Sequence, residues 1–421
     1  MTLDALVVAD DLTGAMDTGH EFAARGHPTT VGVRPTADPP DEGVFVANTD
    51  SRYLPPADAA AAVERAVRET PAGLVYKKVD STLRGNLVAE IGAAVEASGA
   101  DCALVAPAFP AGGRLTACGF HIVEGALVTD TDAGRDPDKP VASAHLPTLL
   151  GDADRPVRHV GVGTVARGAD AVADAVGGTM GEFLACDAVH GDHLAALARG
   201  AARSGRDVVY VGSAGLAGAV ELPDGSATMG QGMEEPPAEA RVLGIAGSAS
   251  PVTVEQLSAL PAGAVVPLDV ARAVTDPAGA AAAAATEATD RSAARGAAVV
   301  ASVLGDGDVD RALEAGEAAG LAPGTVRDRV AESLALTAEG VWERAPPDGL
   351  FVTGGAVAGR VFDALGVTGV RLTGEAVESG VPVGRALDGA AADTWIVTKA
   401  GAFGDERTIV NCLARLGGSD G

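Results

Sequence analysis

Lysine is nearly absent: 421 residues contain only Lys77, Lys78, Lys139 and Lys399, so arginine supplies 27 of the 31 bases. Aromatic residues are few as well, at 3%. Positive charge is outweighed throughout, 57 acids leaving a formal charge of −26. Such a surface repels polyphosphate, so no nucleic-acid partner is expected. An acidic, lysine-poor surface instead suits a halophilic setting, where concentrated salt screens the self-repulsion. The four cysteines, Cys102, Cys118, Cys186 and Cys412, lie far apart with no CxxC. Neither a disulfide framework nor a zinc site is expected, and a reduced cytoplasm fits. The opening "MTLDALVVADDLTG" lacks the basic flank and long apolar core of a signal peptide. No run reaches the ~18 apolar residues of a membrane span, so no membrane partner is expected either.

What is present is glycine, 56 residues in all, about twice the usual ~7%. Hydrophobic residues make up 47%, enough for a core although alanine inflates the figure, and the length favours two domains. Short apolar runs recur, each followed by a glycine or polar turn and then a helix-like segment. The expected strands are Leu6–Ala9, Val44–Ala47, Leu74–Tyr76, Ala103–Ala106, Val208–Val211, Val242–Ala246, Ala264–Val266, Ala297–Val303, Leu350–Thr353 and Trp395–Thr398. Between them lie amphipathic stretches such as Leu87–Ala97, with Leu87, Ile91 and Val95 spaced by four. Apolar strands alternating with such helices predict an α/β protein with mainly parallel sheets flanked by helices. The stretch Glu221–Ala240, rich in glycine, proline and acids, breaks this rhythm. It predicts domains 1–225 and 241–421 joined by a linker at 226–240. The alanine-rich segment Ala278–Ala298 predicts one exposed helix.

In parallel sheets, ligands gather at the carboxyl ends of strands. After the first four runs come Asp10, Asp11, Thr13 and Asp17; then Asn48, Thr49, Asp50, Ser51 and Arg52; then Lys77, Lys78, Asp80, Ser81, Thr82, Arg84 and Asn86; then "PAFPAGGR", ending in Arg114. Taken singly, Asp11, Thr13 and Asn86 read as helix caps. The adjacent pair Asp10–Asp11 does not have the spacing of a phosphatase DxDxT loop. Together the four loops bring cations suited to a carboxylate, Arg84 by a two-pronged grip, and acids and amides suited to hydroxyls. A small polyhydroxy acid fits that set.

The second half carries glycine and hydroxyl turns of another kind: "GIAGSASPVT" with Ser248 and Ser250, "TGGAVA" with Gly354 and Gly355, and "KAGAFG" with Lys399 and Gly401. Backbone N–H groups at such turns favour phosphate. No GxxxxGK[ST] occurs, which excludes a P-loop. The "HGDH" at His190–His193 invites a metal, but with no third ligand nearby it reads as an exposed helix start, and no metal-ligating residue is assigned. "GSAGLAG", Gly212–Gly218, reads as a tight turn, and the final "LGGSDG" as a frayed tail.

In order along the chain, "ADDLTGAMDTG", "KKVDSTLRGN", "PAFPAGGR", "GSAGLA", "GSAS", "TGGAVA" and "KAGAFG" resemble the motifs of the four-carbon acid sugar kinase family. The resemblance covers essentially the whole chain. It implies an N-terminal sugar-acid domain, a C-terminal nucleotide domain and an active site in the cleft between them. It also implies ATP and Mg²⁺ as cofactors and a threonate, erythronate or 3-oxo-tetronate type of substrate. Asp10, Asp11, Lys77, Asp80, Ser81, Arg84 and Arg114 are then expected near the substrate, with help from Lys78. Asp11 or Asp80 is expected as catalytic base, and Arg135 and Asp136 as a loop over the site. Ser248, Ser250, Gly354, Gly355, Lys399 and Gly401 are expected near ATP. The alternatives are a kinase of another small hydroxy acid, or a non-catalytic sugar-acid binder. An oxidoreductase would want GxGxxG where this chain has the acidic "ADDLTGA". A ribokinase-type enzyme would want a late GAGD-like turn where it has "DGAAADT". A homo-oligomer stays open.

Overall fold

The computed structural model describes residues 2–136, 138–151, 155–222, 236–237 and 239–417. Contacts divide the chain into two compact units, Met1–Thr228 and Met229–Gly421. Most of the expected linker lies outside the described residues, as does most of the glycine-rich tail.

In the first unit the strands are β1 (Ala5–Ala9), β2 (Thr29–Gly32), β3 (Val44–Asn48), β4 (Val75–Lys78) and β5 (Cys102–Ala106), followed by the small strands β6 (Arg114–Ala117), β7 (Phe120–Val123) and β8 (Ala126–Leu127), then β9 (Val157–Val160), β10 (Phe183–Cys186) and β11 (Val208–Gly212). Eight of these form a parallel sheet in the order β2-β3-β1-β4-β11-β5-β10-β9. The sequences ALVVA of β1 and CALVA of β5 are buried at every position, as strands covered on both faces must be. The chain leaves β1 toward β2 on one side and leaves β4 toward β5 on the other. Such a reversal opens a crevice at the carboxyl ends of β1 and β4. The strands β6, β7 and β8 form a separate antiparallel sheet.

The second unit holds β12 (Val242–Ala246), β13 (Val265–Pro267), β14 (Ala297–Ala301), β15 (Gly349–Thr353), β16 (Gly369–Glu378), β17 (Val381–Ala386) and β18 (Trp395–Lys399). Their order is β13-β14-β12-β15-β18-β17-β16, parallel from β13 to β18 and antiparallel across β18, β17 and β16. The reversal of direction here falls between β12 and β15.

All ten expected strands exist, with ends moved by no more than two residues. Those that periodicity did not show are short or lie in hairpins: TTVG, VRHV and FLAC have four residues each, too few to display a period. One strand end matters chemically. Lys77 and Lys78 are the last two residues of β4 rather than part of the loop after it. The alanine-rich helix spans Pro277–Arg295 and is not wholly exposed. Ala280, Ala281, Ala284, Ala285 and Ala288 form a buried stripe that packs on the helix Pro323–Arg344. Small side chains at a three- and four-residue spacing are what allow that close approach.

Candidate functional site

The crevice of the first unit is organised by Arg52, which follows β3. Its Nε and Nη2 grip Asp10 Oδ2 and Oδ1 at 2.7 and 3.0 Å. The same guanidinium meets Asp11 at 2.8 and 3.0 Å and lies 3.9 Å from Asp80. Asn86 holds the Arg52 loop in place, its amide donating to the carbonyls of Ser51, Arg52 and Leu54. Sequence reasoning placed Arg52 at this edge but assigned it no role. Its proximity to three acids is a product of strand order, since β3, β1 and β4 are neighbours.

Asp80 is the second anchor. Arg84 Nε donates to its Oδ2 at 2.7 Å, Thr82 Oγ1 at 2.6 Å and the Arg84 backbone N–H at 3.3 Å. Burial alone would raise the Asp80 carboxyl, but Arg52 and Arg84, with the Arg84 hydrogen bond and Lys78, hold it far below the usual carboxylate range. Asp10 is likewise pushed up by burial and more than offset by Arg52, Lys77 and Lys78. Both acids are therefore firmly ionised and fully engaged. The loop that carries Ser81 is set by His121, whose Nε2 faces the Ser81 carbonyl at 2.9 Å while Nδ1 faces Thr116 Oγ1 at 3.0 Å. A carbonyl can only accept, so Nε2 carries the proton and Nδ1 accepts from threonine. Burial keeps that imidazole neutral by lowering its basicity.

The two lysines part company because successive residues of a strand point to opposite faces. Lys77 has no exposed surface; its Nζ pairs with Glu90 at 2.9 Å and donates to the carbonyls of Val8 and Lys78. Its ammonium is thus enclosed and paired rather than presented to the crevice, unlike the place expected for it beside the substrate. Asp10, 2% exposed and held by Arg52, supports the site from behind rather than lining it. Lys78 points the other way. Its Nζ donates to the Val79 carbonyl at 2.8 Å and lies over the bare face of Gly14. Asp11 is beside it, half-buried, accepting the Gly14 N–H at 3.0 Å as the cap of the helix Leu12–Ala23. Asn86 sits at the start of the next helix, Leu87–Ser98, but its side chain does not cap it. Arg114, at the start of β6, is close enough to act on Asp17 electrostatically.

The expected covering loop is only partly in place. Asp136 lies 3.5 Å from Arg84 and accepts from Tyr53 at 3.4 Å, and Lys139 reaches Asn86 Oδ1 at 2.9 Å. Arg135 turns outward to Asp132 and is not brought to the site.

In the second unit the three turns follow the adjacent strands β12, β15 and β18 and pack on one another. Gly354 has φ 103°, open to glycine without strain, and a Cβ there would stand 3.3 Å from the Gly247 carbonyl carbon. A Cβ on Gly401 would run into Ser248 Oγ. Ser248 Oγ accepts the Ser250 N–H at 3.2 Å, and Ser250 precedes the helix Pro251–Ser258. Gly355 begins the helix Gly355–Ala364. Lys399 does not reach outward. Its buried Nζ donates to the carbonyls of Ala400, Gly401 and Phe403 at 2.9 to 3.1 Å, so it shapes the turn from within. Burial lowers this ammonium to about 8. Beside the turns a cavity of about 330 Å³ opens at the ends of β13 and β14, lined by Pro267, Leu268, Ala301, Ser302 and Leu304. Among the described residues no group of three or more His, Cys, Asp and Glu side chains is placed to hold a metal ion. His190 is exposed at the start of the helix Gly191–Arg203, and Gly212–Gly218 turns from β11 into the short helix Ala214–Ala217.

Comparisons with known proteins match both units. Residues 5–220 match a family model described as sugar-binding N-terminal domain, and residues 243–409 one described as nucleotide-binding C-terminal domain. A D-threonate kinase of Salmonella typhimurium is 33% identical over 419 residues, 97% of each chain. One of Bordetella bronchiseptica is 36% identical over 427 residues, 97% of this chain and 96% of its own. A D-erythronate kinase of Heliobacterium modesticaldum is 30% identical, covering 98% and 97%. Among solved structures, a Salmonella typhimurium protein described as a tRNA synthase superposes with a TM-score of 0.78 over 98% of both chains. At 23% identity that likeness carries the fold and not the activity.

Proposed function

The chain belongs to the four-carbon acid sugar kinase family and is an ATP-dependent phosphotransferase; on that premise we propose that its acceptor is a four-carbon sugar acid of the threonate type. The observation that carries the acceptor is the crevice at β1 and β4, where Lys78 and Arg84 stand beside Asp11 and Asp80. The substrate carboxylate is assigned to Arg84 and Lys78, with Arg114 adding positive potential. Arg84 retains donors that Asp80 does not use, and two of the three Lys78 protons have no partner among the described residues. Ser81, Asp11 and the polar rim of the 80–86 loop are assigned to the substrate hydroxyls. Asp80 is too strongly ionised and too fully hydrogen-bonded to act as a proton acceptor near neutrality, so its role is to hold Arg84. The threonate type is put first because a relative named D-threonate kinase reaches 36% identity, against 34% for one named 3-oxo-tetronate kinase and 30% for one named D-erythronate kinase.

The nucleotide is assigned to the second unit, its phosphates over the turns of Ser248, Ser250, Gly354, Gly355 and Gly401. The short helices after these turns offer N–H groups to phosphate oxygens. The cavity at β13 and β14 is assigned to the nucleoside. Mg²⁺ is proposed to enter as part of Mg·ATP, with phosphate oxygens and water as its main ligands, as is usual for that ion. Transfer then needs positioning and charge neutralisation more than covalent chemistry from the protein.

A coupled ADP-release assay with Mg·ATP tests the proposal, using D- and L-threonate, D- and L-erythronate, 3-oxo-tetronates and longer aldonates. ADP release with D-threonate at the highest kcat/KM is expected. Preference for a longer aldonate would overturn the four-carbon acceptor.

A further inference from the structure

The acids of the first-unit crevice are not equivalent. Asp10 gives both oxygens to Arg52. Asp11 caps the helix and shares Arg52. Asp80 accepts from Thr82, from the Arg84 backbone and from the Arg84 guanidinium. A carboxylate so occupied has little tendency to take a further proton. Asp17 differs from all three. It lies three residues after Gly14, on the face of the helix Leu12–Ala23 that carries that glycine. It makes no hydrogen bond or ion pair among the described residues, and its side chain is only partly buried.

We propose that Asp17 is the catalytic base, the carboxylate that accepts the proton of the substrate hydroxyl as it attacks ATP. The inference rests on the acceptor assignment above and deepens it. In the step, a lone pair of the hydroxyl oxygen forms the bond to the terminal phosphorus of ATP. The bond from that phosphorus to its bridging oxygen breaks and ADP leaves with the electron pair. The hydroxyl proton passes to a free Asp17 oxygen and later to solvent. Lys78 over the neighbouring Gly14 keeps the substrate close by, so one helix face presents both anchor and base.

The charged surroundings agree with that role. Lys78 from β4 and Arg114 from β6 act on Asp17 from neighbouring strands, with Asp11 and Glu21 on its own helix and the Tyr76 phenol beneath. Burial dominates and raises its carboxyl to about 6, with Asp11 adding to the rise and the two cations opposing it. A base with that affinity is mostly ionised at neutral pH yet strong enough to take a proton.

The test is the pH profile of ADP release by the full chain, comparing wild type, Asp17→Asn, Asp17→Glu and Asp11→Asn. Wild type should lose kcat on an acid limb centred near 6. Asp17→Asn should lower kcat by about 10²–10⁴-fold and abolish the limb. The KM for the sugar acid should stay within about threefold, since no binding contact is removed. Asp17→Glu keeps the charge but moves it, and should fall by about tenfold with the limb displaced. Asp17→Asn with kcat within about fivefold of wild type, or with the limb intact, overturns the assignment. If Asp17→Asn does not fold, an Asp17→Glu profile indistinguishable from wild type does the same. A large loss of kcat in Asp11→Asn together with an intact limb in Asp17→Asn moves the base to Asp11. Wild-type silence toward every sugar acid overturns the acceptor proposed above and this role with it; active wild type with unaltered Asp17→Asn overturns Asp17 alone.

Discussion

Replacing Gly14 by alanine separates stability from function in a way the structure allows to be worked through. Gly14 lies inside the first turn of the helix Leu12–Ala23, where alanine would normally stabilise by about 1 kcal/mol. Its Cβ, however, would stand 2.5 Å from Asp11 Oδ1 and 2.8 Å from Lys78 Nζ. Both neighbours are the tips of side chains, so the backbone need not move. Asp11 must turn away and release the cap, which costs about 1 kcal/mol. The two terms nearly cancel, and chemical denaturation should find stability changed by less than about 1 kcal/mol. The site does not escape so lightly. Displacing the Lys78 ammonium removes a charged hydrogen bond of about 1.5–3 kcal/mol from the substrate carboxylate. Each 1.4 kcal/mol is tenfold, so the KM for the sugar acid should rise by roughly 10- to 100-fold, while the KM for ATP stays within about twofold. Steady-state ADP release with each substrate varied in turn reads both numbers. A more stable variant with an unchanged sugar-acid KM would show that Lys78 and Asp11 do not face the substrate.

Glu90→Gln removes the charge that neutralises buried Lys77, and urea melts should show a loss of about 3–5 kcal/mol. Lys399→Met leaves three turn carbonyls without their donor; ATP binding by calorimetry should weaken by at least about tenfold, while sugar-acid binding holds. Glu21 gives a pH signature. Burial and the Asp17 charge raise its carboxyl from an ordinary 4.5 to about 7. The folded chain therefore holds that proton where the unfolded chain has lost it, and stability from this group falls as pH rises from 4.5 to 7. Glu21→Gln should flatten the decline in melts at pH 5, 6 and 7; an unchanged slope refutes the shift. Asp80 has the opposite sign. Because it is depressed on folding, its contribution is complete above about pH 4 and is lost as pH falls below that. Asp80→Asn should accordingly cost the same stability at pH 5, 6 and 7, and the cost should shrink only in melts taken below about pH 4.

The ionic pattern explains why so few lysines suffice. Arginine can bind two acids at once through its planar fork, and Arg52 does so with Asp10 and Asp11. Lysine appears where a compact ammonium is wanted: inside the sheet at Lys77, over a bare glycine at Lys78, and within a turn of carbonyls at Lys399.

The sequence by itself determined the α/β class, since short apolar runs such as ALVVA and CALVA alternate with polar turns and amphipathic stretches, the pattern of strands buried on both faces. It also determined where polar chemistry collects, because loops after parallel strands share one edge whatever the strand order. The run of motifs from "ADDLTGAMDTG" to "KAGAFG" placed the chain in its family. What only the tertiary structure decided is which of those polar groups face outward. Lys77 and Lys78 are adjacent in the chain and opposite in the sheet, and the register of β4 alone sends one to Glu90 and the other over Gly14. The three acids met by Arg52 come from segments more than 25 residues away on either side, joined by the order β3-β1-β4. That convergence occupies Asp10, Asp11 and Asp80 and leaves Asp17 open. A linear pattern shows which residues can bear a charge, but whether that charge is already partnered depends on strand order and pleat.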